Sequence, residues 1–315
     1  MMNRRQWMGM ALGTGAAFGL GPFIARGDSS APLLTRKIPA SGEALPVIGL
    51  GSSATFRATA EGGDAAALGD VLAALVARGA RVFDTAPSYG ASESVAGRLA
   101  RERGLTDKLF WATKVNVAPR GGGRADPAAA RAQVEQSFRR FGVATMDLIQ
   151  VHNLGDVPTQ LALLKELKAA KRLRYLGVTT TSKEQYAELE RVMQAEPLDF
   201  IGIDYAVDNR SVEEAILPLA AERRIAVMAY LPFGRTRLFQ RVGARKLPDW
   251  AREFEAATRA QFFLKYVLGH PAVTVVTPAT SQARHLADNL AAGTGRLPDA
   301  AMRRRMTEFM DSLPA

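Results

Sequence analysis

Eight short apolar runs recur along this chain, each followed by a segment with apolar residues at helical spacing, and this alternation most limits the fold. The strand-like runs are Val47–Gly51, Arg81–Thr85, Leu109–Lys114, Met146–His152, Arg174–Thr179, Asp199–Tyr205, Ala226–Leu231 and Thr274–Thr277. Helix-like segments lie near residues 64–78, 92–103, 127–141, 159–171, 183–194, 212–223, 258–268 and 282–292. Mostly uninterrupted apolar strands are those covered on both faces, as parallel sheets are. Eight such units predict a parallel (β/α)8 TIM barrel. An open doubly wound sheet is the other α/β solution, but GLGSSATF after the first run lacks the spaced third glycine and immediate helix of a dinucleotide loop. Thr35–Val47 alternates around a Ser-Gly-Glu turn and predicts an N-terminal hairpin, and Pro298–Leu313 predicts an extra C-terminal helix.

A chain of 315 residues with 47% hydrophobic content can bury the core of such a barrel, which needs roughly 250 residues. No shift in composition marks an internal boundary, so residues 28–315 are expected to form one domain. The chain has no cysteine, which excludes disulfides, thiolate nucleophiles and cysteine-ligated metals. Only His152, His270 and His285 are available as imidazoles, so no metal centre is expected. The formal charge of +10 raises nucleic acid as a partner. Arg4, Arg5 and Arg26 supply part of that excess, and most of the rest is spread over helices, with one denser run at Arg235, Arg237, Arg241, Arg245 and Lys246. That distribution fits a solvated surface, and no nucleic-acid partner is expected.

Residues 1–27, MMNRRQWMGMALGTGAAFGLGPFIARG, place a twin arginine before a Gly- and Ala-rich apolar run and a small-residue site. This layout resembles a twin-arginine export signal, implying contact with that export machinery, cleavage, and a periplasmic or otherwise exported product. The other reading is a retained membrane anchor, for which the many glycines make a weakly helical, weakly apolar span.

In a parallel barrel the C-terminal ends of all strands open on one mouth, so polar residues that end apolar strands converge there. Asp84 ends the second run with Tyr89 in the loop beyond, Lys114 ends the third, and His152 ends the fourth. Any one of these could be an ordinary surface group, and an Asp–Lys pair could be purely structural. Three successive strands that deliver four ionisable groups to one mouth point instead to chemistry.

FDTAPSYG, LFWATKV and DLIQVH resemble the corresponding segments of the aldo-keto reductases, and the likeness runs in order from about residue 35 to about residue 292. The resemblance implies reduction of an aldehyde or ketone to an alcohol with NADP(H), or NAD(H) as the alternative. It makes Tyr89 the proton donor, Asp84 and Lys114 its charged neighbours, and His152 the orienter of the carbonyl. A carbonyl that gains a hydride also needs a proton on the developing alkoxide, and an ammonium beside a phenol lowers the phenol's pKa. The same resemblance assigns Thr179 and Thr180 to the nicotinamide carboxamide, Tyr230 to stacking on the ring, and Leu231, Phe233, Gly234 and Arg235 to the diphosphate. It assigns Thr280, Ser281 and Arg284 to the adenosine phosphate end, and Asp288 and Asn289 to adenine. The chain departs from the family's cofactor-binding pattern at three further positions: Gly202 stands where a carboxamide-binding glutamine is usual, Ala279 where many NADPH users have lysine, and His285 where many have arginine. A cofactor-retaining, redox-sensing binding module of the same fold is the alternative from another functional class. An exported sugar or steroid oxidoreductase running toward oxidation is a third reading.

Overall fold

The computed structural model describes residues 31–53, 55–56, 65–119 and 122–314, so the expected export signal lies outside the described residues. Two strands, β1 (Thr35–Lys37) and β2 (Ala44–Pro46), form the expected antiparallel hairpin, pairing Arg36 with Leu45. The eight strands of the main sheet are β3 (Leu50–Gly51), β4 (Val82–Asp84), β5 (Phe110–Val115), β6 (Met146–Val151), β7 (Leu173–Thr180), β8 (Phe200–Asp204), β9 (Ala226–Tyr230) and β10 (Val273–Val276). They pair in parallel in sequence order. Bridges from Ile48 to Val276 and from Gly51 to Ala279 join the first strand region to the last, with Gly49 N donating to Val276 O at 2.9 Å and Gly51 N to Pro278 O at 3.0 Å. The sheet is therefore a closed parallel barrel, as the alternation predicted.

The helices are α1 (Ala65–Ala77), α2 (Ser92–Glu102), α3 (Pro127–Phe141), α4 (Val157–Ala169), α5 (Tyr186–Ala195), α6 (Ile216–Glu222), α7 (Arg237–Val242), α8 (Arg259–Leu268), α9 (Ala283–Ala291) and α10 (Ala300–Asp311). Sequence chemistry starts and stops several of them. Asp126 accepts from Ala128 N before Pro127 opens α3, and Gly142, at φ 72°, ends it. Thr258 and Asp299 cap α8 and α10 in the same way.

The two-residue period of each strand divides the core into two layers. Trp111 and Val115 of β5, Ile149 and Val151 of β6, and Ile201 and Ile203 of β8 join the apolar layer between sheet and helices. Val82, Phe110, Ala112, Leu148, Tyr175, Phe200, Ala226 and Met228 fill the barrel. Ile38 and Leu45 of the hairpin belong to that inner cluster, so the hairpin closes the end of the barrel opposite the strand C-termini. Glu43 fixes it there, bonding to the Tyr175 hydroxyl at 2.6 Å and to Arg81 at 2.8 Å, and pairing with Arg174. The predicted C-terminal helix is α10, which buries Met306 and Met310 in the outer layer and sends Arg303 to Glu213 Oε1 at 2.7 Å and to the Tyr205 hydroxyl.

Candidate active site

Because Phe110 and Ala112 face inward, the period of β5 also turns Lys114 into the barrel, one layer nearer the mouth. The same parity directs Asp84 inward from β4, and Gln150 from β6. Lys114 Nζ donates to Asp84 Oδ1 at 2.8 Å, to Asp84 Oδ2 at 3.0 Å and to the Thr85 carbonyl at 2.9 Å. Both side chains are almost fully buried, at 1% and 6% exposed.

The loop after β4 holds Tyr89 by its own backbone. Tyr89 N donates to Ala86 O at 3.0 Å, Ser92 N donates to Tyr89 O at 3.1 Å, and Gly90 takes φ 57°. Thr85 Oγ1 bonds to Ser92 Oγ at 2.9 Å, pinning the start of α2 to the end of β4. Lys114 Nζ then lies 5.4 Å from the centre of the Tyr89 ring, and the His152 ring meets Tyr89 edge-on at 5.8 Å. The structure thus brings Asp84, Tyr89, Lys114 and His152 together on one cavity of about 650 Å³.

Electrostatics sets their protonation. Burial, helped by the Lys114 charge, lowers the His152 imidazole to about 3, so it is neutral at physiological pH. For Lys114, burial works against the ammonium but is outweighed by Asp84 with help from Tyr89 and Glu93, and the group stays charged with a raised pKa. Burial pushes Asp84 up against the pull of Lys114. The expectation of a lowered Tyr89 pKa is not met. Burial pushes this phenol up from its ordinary value, and Lys114 and Arg235 only partly offset that while Asp84 adds to it. Tyr89 is therefore a protonated phenol at neutral pH.

Of the other residues singled out in the sequence, Thr179, Tyr230, Leu231, Phe233 and Arg235 also line this cavity. Gly234 lies on a neighbouring cavity of about 540 Å³, which shares Leu231 and Arg235 with the first. Thr180 and Gly202 do not line either cavity. Thr180 is one residue out of phase with Thr179 and points to the outer layer, where its hydroxyl donates to Gln185 Oε1 at 2.5 Å and accepts from Ser182 N at 3.1 Å. Gly202 is covered by the Tyr230 ring, whose atoms would lie 2.4 to 2.8 Å from a Cβ at that position. Thr280, Ser281, Arg284, Asp288 and Asn289 stand outside both cavities, at and within α9. Thr280 Oγ1 accepts from Gln282 N at 3.1 Å, and Arg284 donates to Gln282 Oε1 at 2.8 Å. The Asp288 carboxylate is already engaged, accepting from Thr258 Oγ1 at 2.9 Å and Gln261 Nε2 at 2.7 Å, and Asn289 is buried.

A family model described as the aldo/keto reductase family matches residues 47–307. The chain belongs to that family. Aldo-keto reductase str7 of Strobilurus tenacellus is 28% identical, over 88% of this chain and 93% of its own length. Among solved structures, an aldo/keto reductase from Klebsiella pneumoniae in complex with NADP and acetate matches with a TM-score of 0.70 at 27% identity, covering 85% of this chain and 93% of that one. A Klebsiella pneumoniae aldo-keto reductase in complex with NADPH matches with a TM-score of 0.72 at 25% identity, covering 88% and 96%.

This aldo/keto reductase has further cavity residues that sequence reasoning missed. Asn153 follows His152 with φ 54°, and Leu154 and Asp156 also take positive φ. Its backbone N donates to Thr179 Oγ1 at 3.1 Å and its carbonyl accepts from Gln185 at 3.1 Å. The one signal available was an Asn beside a strand-end His, a residue type that tolerates left-handed backbone. Ser52 and Thr277 flank the barrel seam, line the cavity, and have buried hydroxyls with no hydrogen-bond partner among the described residues. A cavity that offers two orphan hydroxyls, the Asn153 amide and an Arg235 guanidinium with no carboxylate partner among the described residues fits a polar, anionic cofactor such as a nicotinamide dinucleotide.

Proposed function

We propose that this chain is an NADP(H)-dependent reductase that converts an aldehyde or ketone to an alcohol, with Tyr89 as proton donor. The observation that carries this reading is the convergence of a protonated phenol, a buried ammonium–carboxylate pair and a neutral imidazole on one cavity at the barrel mouth. A bound reduced nicotinamide supplies the hydride, which no protein side chain can provide. Thr179, Asn153 and Ser52 would hold its amide end, Tyr230 would floor the ring, and Arg235 would meet the diphosphate. Family resemblance extends the binding track to Arg284, with NADP(H) favoured over NAD(H).

The chain's own residues handle the carbonyl oxygen. His152, being neutral, donates one hydrogen bond to that oxygen and fixes its direction without adding a competing acid. Tyr89 gives its proton to the oxygen as negative charge develops there. Lys114, 5.4 Å from the ring centre, stabilises the phenolate left behind, and Asp84 keeps the ammonium in place. Burial keeps Tyr89 protonated until the substrate oxygen gains charge, so the acid is held ready rather than spent to solvent.

Residues 1–27 are proposed as a twin-arginine signal that exports the folded reductase, and cofactor loading before export follows from the scarcity of free NADPH outside the cytoplasm. Among the described residues no helix is long and apolar enough to cross a membrane.

The test of function is consumption of NADPH by the purified protein against a panel of aldehydes and ketones. Turnover with carbonyls supports the reading. A protein that binds NADPH tightly and consumes none with any carbonyl is instead a binding module.

A further inference from the structure

Three observations around Tyr230 are not accounted for by a stacking role. Its hydroxyl lies 3.2 Å from Asp84 Oδ1 and 3.1 Å from Gln150 Oε1, on the inner side of the cavity. Gln150, fully buried, donates its Nε2 to the Val178 carbonyl at 3.3 Å, which leaves its oxygen facing the phenol. The ring occupies the space that any side chain at position 202 would fill. A phenol has one proton and here faces two acceptors, one of them the carboxylate that holds Lys114. The Lys114 ammonium in turn lies 5.0 Å from the centre of the Tyr230 ring.

We propose that Tyr230 is a positioning residue for proton donation: its hydroxyl, reaching through the room left by Gly202, holds Asp84 and so sets how strongly Lys114 acts on Tyr89. This role for Tyr230 rests on Tyr89 being the acid. A hydrogen bond to a carboxylate draws charge from it. Without that bond the charge of Asp84 falls wholly on Lys114, the ammonium is drawn from Tyr89, and the phenol becomes a weaker acid. The absence of a glutamine at 202 then has a physical reason: the position is kept empty so that the phenol can reach inward. Two functions meet in one side chain, a ring face toward the cavity and a hydroxyl toward the acid's charge network.

Replacing Tyr230 with Phe separates the two functions, because Phe keeps the ring and removes the hydroxyl. The experiment measures kcat, KM, NADPH affinity and the pH profile of carbonyl reduction in Tyr230→Phe, with Tyr89→Phe in parallel. The expected result for Tyr230→Phe is about a 10-fold loss in kcat, unchanged NADPH affinity, and an alkaline limb moved to higher pH. Wild-type kcat with an unmoved profile in Tyr230→Phe, while Tyr89→Phe is inactive, overturns the Tyr230 role alone. Wild-type turnover in Tyr89→Phe instead removes the proton-donor reading on which it rests. Gly202→Ala provides a second route if Tyr230→Phe fails to fold. Its added Cβ forces the ring aside with the phenol intact, and the same movement of the alkaline limb is expected; an unmoved limb overturns the proposal.

Discussion

At the scale of single residues, the candidate site is governed by burial as much as by charge. Lys114 and Asp84 form a buried pair because each supplies what the other needs, and the Thr85 carbonyl also accepts from the ammonium. His152 responds to the same burial by giving up its charge. We expect its imidazole resonances to stay in the neutral form across the physiological range when titrated by NMR, and a midpoint near neutrality would contradict the assignment. His270, lowered to about 4 by burial and by Arg303, works in the same sense. For both imidazoles the unfolded chain, with a pKa of about 6.5, binds more protons than the folded one. Their stabilisation is therefore complete above about pH 6.5 and is lost as pH falls toward their folded values. His270→Asn keeps an acceptor for Ala272 N and lacks the titration. Its urea midpoint should fall less than the wild-type midpoint between about pH 7 and pH 5, and equal falls would contradict this account.

The tetrad was legible in the sequence because a residue's position at a strand end, in a fold of known handedness, is almost a coordinate. Thr179 and Thr180 show how far that goes. The two-residue period that turns Lys114 inward also turns Thr180 outward, and applying it to β7 would have separated the pair. Gln150 escaped notice because one polar residue inside an apolar run carries no signal of its partner eighty positions away. The direction of the Tyr89 shift was not legible either, since a sequence shows the ammonium nearby but not how much water is excluded.

At the scale of elements, the eight predicted strands and their helices match the observed ones closely, with boundaries differing by a few residues. The agreement has a cause: the strands are buried on both faces over most of their length and most helices on one, with α8, buried from Gln261 to Leu268, the exception, so local pattern and global packing demand the same thing. What the pattern left out is how the elements approach each other. In α2, a Cβ at Gly97 would lie 2.0 Å from the Arg140 carbonyl oxygen of α3, so the two helices touch through backbone. Gly97→Ala is expected to destabilise the fold by about 1–3 kcal/mol, net of the small gain in helix propensity, while leaving kcat intact. Chemical denaturation and steady-state kinetics on the same preparation check both halves. The seventh connection is the other surprise. Between β9 and α8 it contains the short helix α7 and a 3-10 turn at Asp249–Phe254, where the sequence pattern predicts no helix between residues 223 and 258.

At the scale of the whole molecule, distant parts of the chain are tied by few but well-placed groups. Arg303 of α10 donates to Glu213 at 2.7 Å and to the Tyr266 carbonyl at 3.2 Å, and its guanidinium stacks 4.6 Å from the centre of the Tyr266 ring. Glu213 also accepts from the hydroxyls of Tyr205 at 2.6 Å and Tyr266 at 2.7 Å. Arg303→Met keeps an apolar stem and removes these bonds, and a loss of about 1–3 kcal/mol in urea unfolding is expected; an unchanged midpoint would show that α10 is held by its other contacts, among them Met306, Met310 and the packing of Phe309 on Trp250 and Phe262. None of this network was legible, because tyrosines and arginines scattered over a hundred positions have no sequence pattern that joins them. The barrel, by contrast, was written in the repeat, and the family match over residues 47–307 agrees with it.

The central claim is that Tyr89 gives the proton in a cavity that also holds the cofactor. Its most direct test compares wild type with Tyr89→Phe, measuring carbonyl-dependent NADPH consumption alongside the dissociation constant for NADPH. The account predicts a kcat lower by roughly 10²–10⁴-fold with cofactor affinity unchanged, and wild-type turnover in the variant would contradict it.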